Sequence, residues 1–116
     1  MLRDFTAFQL AKDFYRKCKF LECPKHLRDQ LLRASSSIAL NVAKGSGKRT
    51  PADQKRYYSI ALGSLRECEA ILELEDLGDN DLRRLMDRLG AILFTLTRKP
   101  LSRTVTETET KTATES

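Results

Sequence analysis

The densest chemistry in the sequence is cationic. Lys44, Lys48, Arg49, Lys55 and Arg56 fall within thirteen residues and are opposed only by Asp53. They span the end of one helical segment, a Gly45-Ser46-Gly47 turn and the start of the next segment, where free backbone N–H groups also favour anions. Two readings fit such a cluster. One is solvated loop charge that balances acids on a neighbouring subunit; the other is a surface for the phosphate backbone of RNA or DNA. Tyr57 and Tyr58 adjoin it, where a ring can stack on a base, although at least one of the two is expected in the core.

The remaining reactive side chains do not assemble into a catalytic centre. His26 is the only histidine and stands beside Lys25 and Arg28 without a nucleophile, as a solvated loop histidine would. Ser35-Ser36-Ser37 lies mid-helix, where small residues allow close helix approach, and no second histidine exists to act as base. Gly45-Ser46-Gly47-Lys48 lacks the full spacing of a phosphate loop and the strand before it. Cys18, Cys23 and Cys68 form no close-spaced pair. Cys23 and His26 are three apart, but a tetrahedral metal needs two further ligands that the sequence does not offer. Glu67, Glu69, Glu73, Glu75 and Asp76 lack the Glu-x-x-His motif of carboxylate-bridged metal bundles. Glu69, Glu73 and Asp76 read as a solvated face, and Glu67 borders the apolar stripe. The expectation is a protein with no catalytic residues, no metal and no cofactor.

The charge is unevenly spread. The chain has 116 residues and a net charge of +5, with a pI near 9.3. Residues 1–56 carry 13 Lys and Arg against 5 Asp and Glu, a net +8, whereas residues 57–100 come to −2. The length suits one domain with one core. With 41% hydrophobic residues the chain can fold, and with only 5 Gly and 3 Pro it does not resemble a turn-rich sandwich or barrel. No apolar run reaches the ~20 residues of a membrane span, and no leader is evident. Three unpaired cysteines fit a reducing compartment, so a cytoplasmic location is expected.

Four helical segments position these groups. The first runs from about Asp4 to Phe20, with Phe5, Phe8, Ala11, Tyr15 and Cys18 at three-four spacing and Leu10 and Phe14 flanking them. The second starts at Pro24; Leu27, Leu31, Ala34, Ile38 and Asn41 share one face, which predicts a buried Asn41 amide. It ends at Gly45-Ser46-Gly47, where a glycine in the left-handed conformation would close it. The third starts at Thr50-Pro51-Ala52-Asp53: Thr50 caps, Pro51 takes the first helical position and Asp53 sits where a capping-box acid belongs. Its stripe is Tyr58, Ala61, Leu65, Cys68 and Leu72, widened by Ile60 and Ile71, with Gly78 as the stop. Asp79 or Asn80 caps the fourth, which repeats Leu82, Leu85, Leu89, Ile92 and Leu96 and ends at Lys99-Pro100.

The pattern predicts an all-α protein, an up-down-up-down antiparallel four-helix bundle over residues 1–100. The Thr-rich segment 101–116 cannot order itself by burial and reads as a disordered tail. Phe14 and Leu32 lie off the main stripes and widen the apolar faces, which predicts a homo-oligomer.

The stretch Gln30-Leu31-Leu32-Arg33-Ala34-Ser35-Ser36-Ser37-Ile38-Ala39-Leu40-Asn41-Val42-Ala43-Lys44-Gly45 resembles the signature helix of a bacterial four-helix-bundle family. Its members are often encoded in intervening sequences of 23S ribosomal RNA genes. The accessory variability proteins of diversity-generating retroelements share the architecture. Ile60-Ala61-Leu62-Gly63-Ser64-Leu65-Arg66-Glu67 is similar to the family's second signature, and Phe8-Gln9-Leu10-Ala11 to its first-helix element. The resemblance covers roughly residues 4–98. It implies a homo-oligomer, usually a pentamer, without enzymatic activity; retroelement members bind nucleic acid and assist a reverse transcriptase. Gln30, Arg33, Asn41, Gly45, Gly63 and Glu67 match the family's polar and glycine positions. Lys44 departs from the pattern, because the family usually has Glu before that glycine. The reversal adds to the basic surface.

Overall fold

The computed structural model describes residues 2–98, with side chains from Phe5 onward. Four helices follow one another: α1 (Leu2–Lys19), α2 (Lys25–Ser46), α3 (Pro51–Leu74) and α4 (Asn80–Arg98). Each helix packs against the next, and α4 closes the ring against α1, with no diagonal packing among the described residues. Neighbours are antiparallel: Ser37 meets Ser64 across α2 and α3, and Gly90 meets Leu65 across α3 and α4. The expected four-helix bundle is what forms. The boundary at Pro100 and the Thr-rich segment lie outside the described residues.

The core is built on Phe14, Ile38, Tyr58, Leu65, Leu89 and Leu93, all fully buried. On α2 and α3 the expected stripes face inward. On α1 the phase differs by a fraction of a turn: Ala7, Leu10, Ala11, Phe14 and Cys18 are buried, whereas Phe5 is 61% exposed and Tyr15 half-buried. Two alanines on the inner face let α1 sit close to its neighbours, and the bulky rings at the edge of the stripe turn outward. Ile60, expected to widen the α3 stripe, is also exposed. Phe14 lies wholly in the core and Leu32 is half-buried against it, so neither offers a surface for assembly.

The helix ends show which turn chemistry operates. Thr50 Oγ1 accepts from Asp53 N–H at 3.1 Å with Pro51 at the first helical position, and Asp79 Oδ1 accepts from Leu82 N–H at 2.8 Å. The end of α3 is not at Gly78. Asp76 takes the left-handed conformation, φ 52°, and Leu77 N–H reaches back to Leu72 O at 2.9 Å, a Schellman closure with Asp in the glycine's place. Gly78, φ 99°, then turns the chain into α4.

The end of α2 also departs from expectation. Gly47 is right-handed, φ −90°, so no left-handed glycine closes this helix. Gly45 lies inside it for a different reason. A Cβ there would stand 2.6 Å from Cε1 of the fully buried Tyr58 ring, so the glycine lets α2 and α3 approach closely. Gly45→Val is expected to cost about 1–3 kcal/mol through overpacking, lowering the thermal midpoint by roughly 5–20 °C for a domain of this size. An unchanged midpoint would contradict the contact.

Candidate nucleic-acid interface

Antiparallel packing gathers the end of α2, the start of α3 and the end of α4 at one pole of the bundle. Lys44, Lys48, Arg49, Lys55 and Arg56 are all exposed there. None of the five pairs with a carboxylate among the described residues, where the ion pairs are Arg66–Glu69 and Arg84–Asp81, both elsewhere. Asp53, the one acid nearby in sequence, is itself exposed at the first turn of α3. Unpaired cations around a helix N-terminus attract anions, and the cap on Thr50 leaves the side chains as the main source of that attraction.

The turn that carries Lys48 and Arg49 is held from below. Lys48 N–H donates to Gly45 O at 3.1 Å, and Gln54 Nε2 donates to Lys48 O at 3.2 Å. Gln54 is 5% exposed, and its Oε1 is buried without a hydrogen-bond partner among the described residues. A buried amide at this position was not legible in a sequence that reads as a charged helix start. The two tyrosines divide as expected. Tyr58 fills the core, and Tyr57 stays half-buried under two cations, with Lys48 Nζ 5.1 Å and Arg56 Cζ 4.9 Å from its ring centre. Sequence reasoning also missed Arg98, whose guanidinium lies 5.3 Å from the ring centre of the exposed Phe94. Only the antiparallel return of α4 brings it to this pole.

The family-type positions separate into two groups. Gln30, Arg33, Gly63 and Glu67 are exposed on α2 and α3. Asn41 is buried and Gly45 sits under the Tyr58 ring. Asn41 Nδ2 donates to Ser37 O at 2.9 Å and to Ser37 Oγ at 3.0 Å, and Ser64 Oγ donates on to Ser37 Oγ at 3.0 Å. That chain ties α2 to α3 and gives Asn41 a structural task. Ser35 is buried on the same helix, and its Oγ donates to Leu32 O at 3.2 Å.

Among the described residues no three His, Cys, Asp or Glu side chains come together as a metal site. Burial pushes the Cys18 thiol up to about 12, against a lowering hydrogen bond from Ser35. Burial raises Cys68 as well, as it does Cys23, where Glu75 adds to the effect. These thiols stay protonated near neutrality and are poor nucleophiles. A pKa raised in the folded state means that the unfolded chain gives up its thiol protons first. Stability is therefore unaffected by these groups below pH 9 and falls as pH rises from there towards 12. Urea melts across that window should show the decline, and replacing Cys18 and Cys68 with Ala should make it shallower. No helix among the described residues is long and apolar enough to cross a membrane.

The chain is a small antiparallel four-helix bundle with five exposed cations at one pole, none paired with a carboxylate among the described residues. More specifically, the chain belongs to the 23S rRNA-intervening sequence protein family, whose model matches residues 5–89. The match takes in α1 to α3 and the first half of α4, including the whole cationic turn. Comparisons with curated proteins and with solved structures give no match.

Proposed function

We propose that this protein is a non-catalytic RNA-binding accessory protein that works as a homo-oligomer. One observation carries the binding half of this reading: five cations gathered at one pole, all exposed and none neutralised by a carboxylate among the described residues. Cations needed only for solubility are normally interspersed with acids, whereas a bare cluster fits a phosphate backbone. The family is named for intervening sequences of 23S rRNA, which favours RNA over DNA as the partner. No described residue points to a reverse transcriptase, and the proposed role does without one.

The assembly half rests on α2 and α3. Leu40, 59% exposed, lies half a helical turn from the α2 core stripe, and Ile60 is 44% exposed on α3. The Ser37–Ser64 contact sets a register that places Leu40 and Ile60 at the same level. Beside them Gly63 has open space where a side chain would be. Such an apolar strip with a smooth neighbour suits the face of another bundle, and five subunits is the number the family resemblance implies. The same strip favours a second reading, in which the chain is an interaction module whose charge serves assembly alone.

Titrating a labelled RNA of about 20 nucleotides with the protein at ~50 mM salt separates the two. The proposal expects saturable binding that an unrelated RNA sequence competes away equally well. No binding under those conditions would overturn it and leave the interaction module.

A further inference from the structure

Five exposed cations make this pole attractive to anions, but two of them are also held in place. Lys48 is fixed at its backbone by Gly45 O and the Gln54 amide, and its Nζ stands 5.1 Å from the Tyr57 ring centre. Arg56 holds its guanidinium carbon 4.9 Å from the same centre and donates through Nη2 to the Tyr57 phenol oxygen at 3.4 Å. The two cationic centres therefore stand no more than about 10 Å apart, a length over which a duplex presents about three phosphates on each strand. The side chains of Lys44, Arg49 and Lys55 have no such support among the described residues.

A ring in this state is a poor platform for a base. Base stacking needs a free aromatic face, and Tyr57 is half-buried and already carries two cations. What points away from it are donors. An ammonium over a ring keeps its other N–H bonds directed outward, and the Arg56 guanidinium keeps the N–H groups that do not donate to the phenol. Without the ring, two long cationic side chains would spread apart through rotamer entropy and mutual repulsion.

We infer that Tyr57 is the positioning residue of a two-cation phosphate site, with Lys48 and Arg56 held on one ring, and that this pole takes the phosphodiester backbone of a double helix rather than the unstacked bases of a single strand. The inference rests on the RNA-binding reading above and narrows it to a duplex.

The test compares wild type with Tyr57→Leu, Tyr57→Phe, Lys48→Gln and the Tyr57→Leu/Lys48→Gln pair, each checked for unchanged helicity. Anisotropy is read on an RNA duplex of about 20 base pairs, the matching DNA duplex and one single strand. Wild type is expected to bind both duplexes more tightly than the strand. Tyr57→Leu should weaken duplex binding by about 5- to 20-fold, the worth of two exposed cation–π contacts, and make the salt dependence shallower by about one phosphate. Tyr57→Phe keeps the ring face and should stay within about 2-fold of wild type. Lys48→Gln should cost less in the Tyr57→Leu background than alone. The inference is overturned if Tyr57→Leu affects only the single strand with an unchanged salt slope, or if the two substitutions are additive. Single-strand binding as tight as duplex binding overturns it as well. Wild-type protein that binds no nucleic acid overturns the RNA-binding reading with it, whereas wild-type binding undisturbed by Tyr57→Leu overturns the role of the ring alone.

Discussion

Reversing Lys48 and Arg49 to Glu together is expected to weaken RNA binding by about 30- to 700-fold near 100 mM salt, equally on unrelated sequences. Two phosphate contacts are lost and two repulsions gained, each on the order of 0.5–1 kcal/mol at an exposed site, and 1.4 kcal/mol is a factor of ten. Both side chains are exposed in the turn and neither pairs with an acid, so the fold should survive. The control is Arg84→Glu with Arg88→Glu, two exposed cations on α4, of which Arg84 pairs with Asp81. Arg83 is unsuitable because its guanidinium donates to Leu77 O at 3.3 Å and so supports the α3–α4 turn. The control pair should cost less than about 5-fold, through net charge alone. Equal losses from both pairs would mean that attraction is diffuse and the pole is not a site.

The second large effect concerns assembly. Leu40→Glu combined with Ile60→Glu should convert the oligomer to a single chain of 13.2 kDa in light scattering at micromolar concentration. A carboxylate buried in an apolar contact between subunits lacks a partner, and several kcal/mol per interface is enough to dissociate a small ring. Within one chain both positions are exposed, so helicity should be kept. Wild-type protein already at 13.2 kDa would remove the assembly half of the proposal.

Much of this is legible in the sequence, and the exceptions share a cause. The Thr50-Pro51-Ala52-Asp53 start and the inward phases of α2 and α3 follow from local rules, because capping and periodicity act within a few residues. The phase of α1 does not follow, because the rings of Phe5 and Tyr15 outweigh Ala7 in any count of apolar spacing. Ala7 nevertheless faces the core, and Phe5 is left outside. Gly45 read as a helix terminator, whereas its task is set by Tyr58, thirteen residues away and on another helix. The candidate interface shows the same divide. Its five cations are a sequence fact, but the ring that holds two of them, the buried Gln54 beneath the turn and the arrival of Arg98 all depend on how α2, α3 and α4 return to one pole.

The central claim is that this pole binds nucleic acid through several phosphates at once, and the salt dependence of affinity reads that number directly. For wild-type protein on a duplex of about 20 base pairs, a plot of log affinity against log salt between ~50 and ~300 mM should be linear. Its slope should be near −4.5 per engaged subunit, the value for five neutralised phosphates at about −0.9 each. Lys48→Glu/Arg49→Glu should reduce that slope to about −3 or shallower. A wild-type slope between 0 and about −1, or one that the double reversal leaves unchanged, would contradict a phosphate-binding pole.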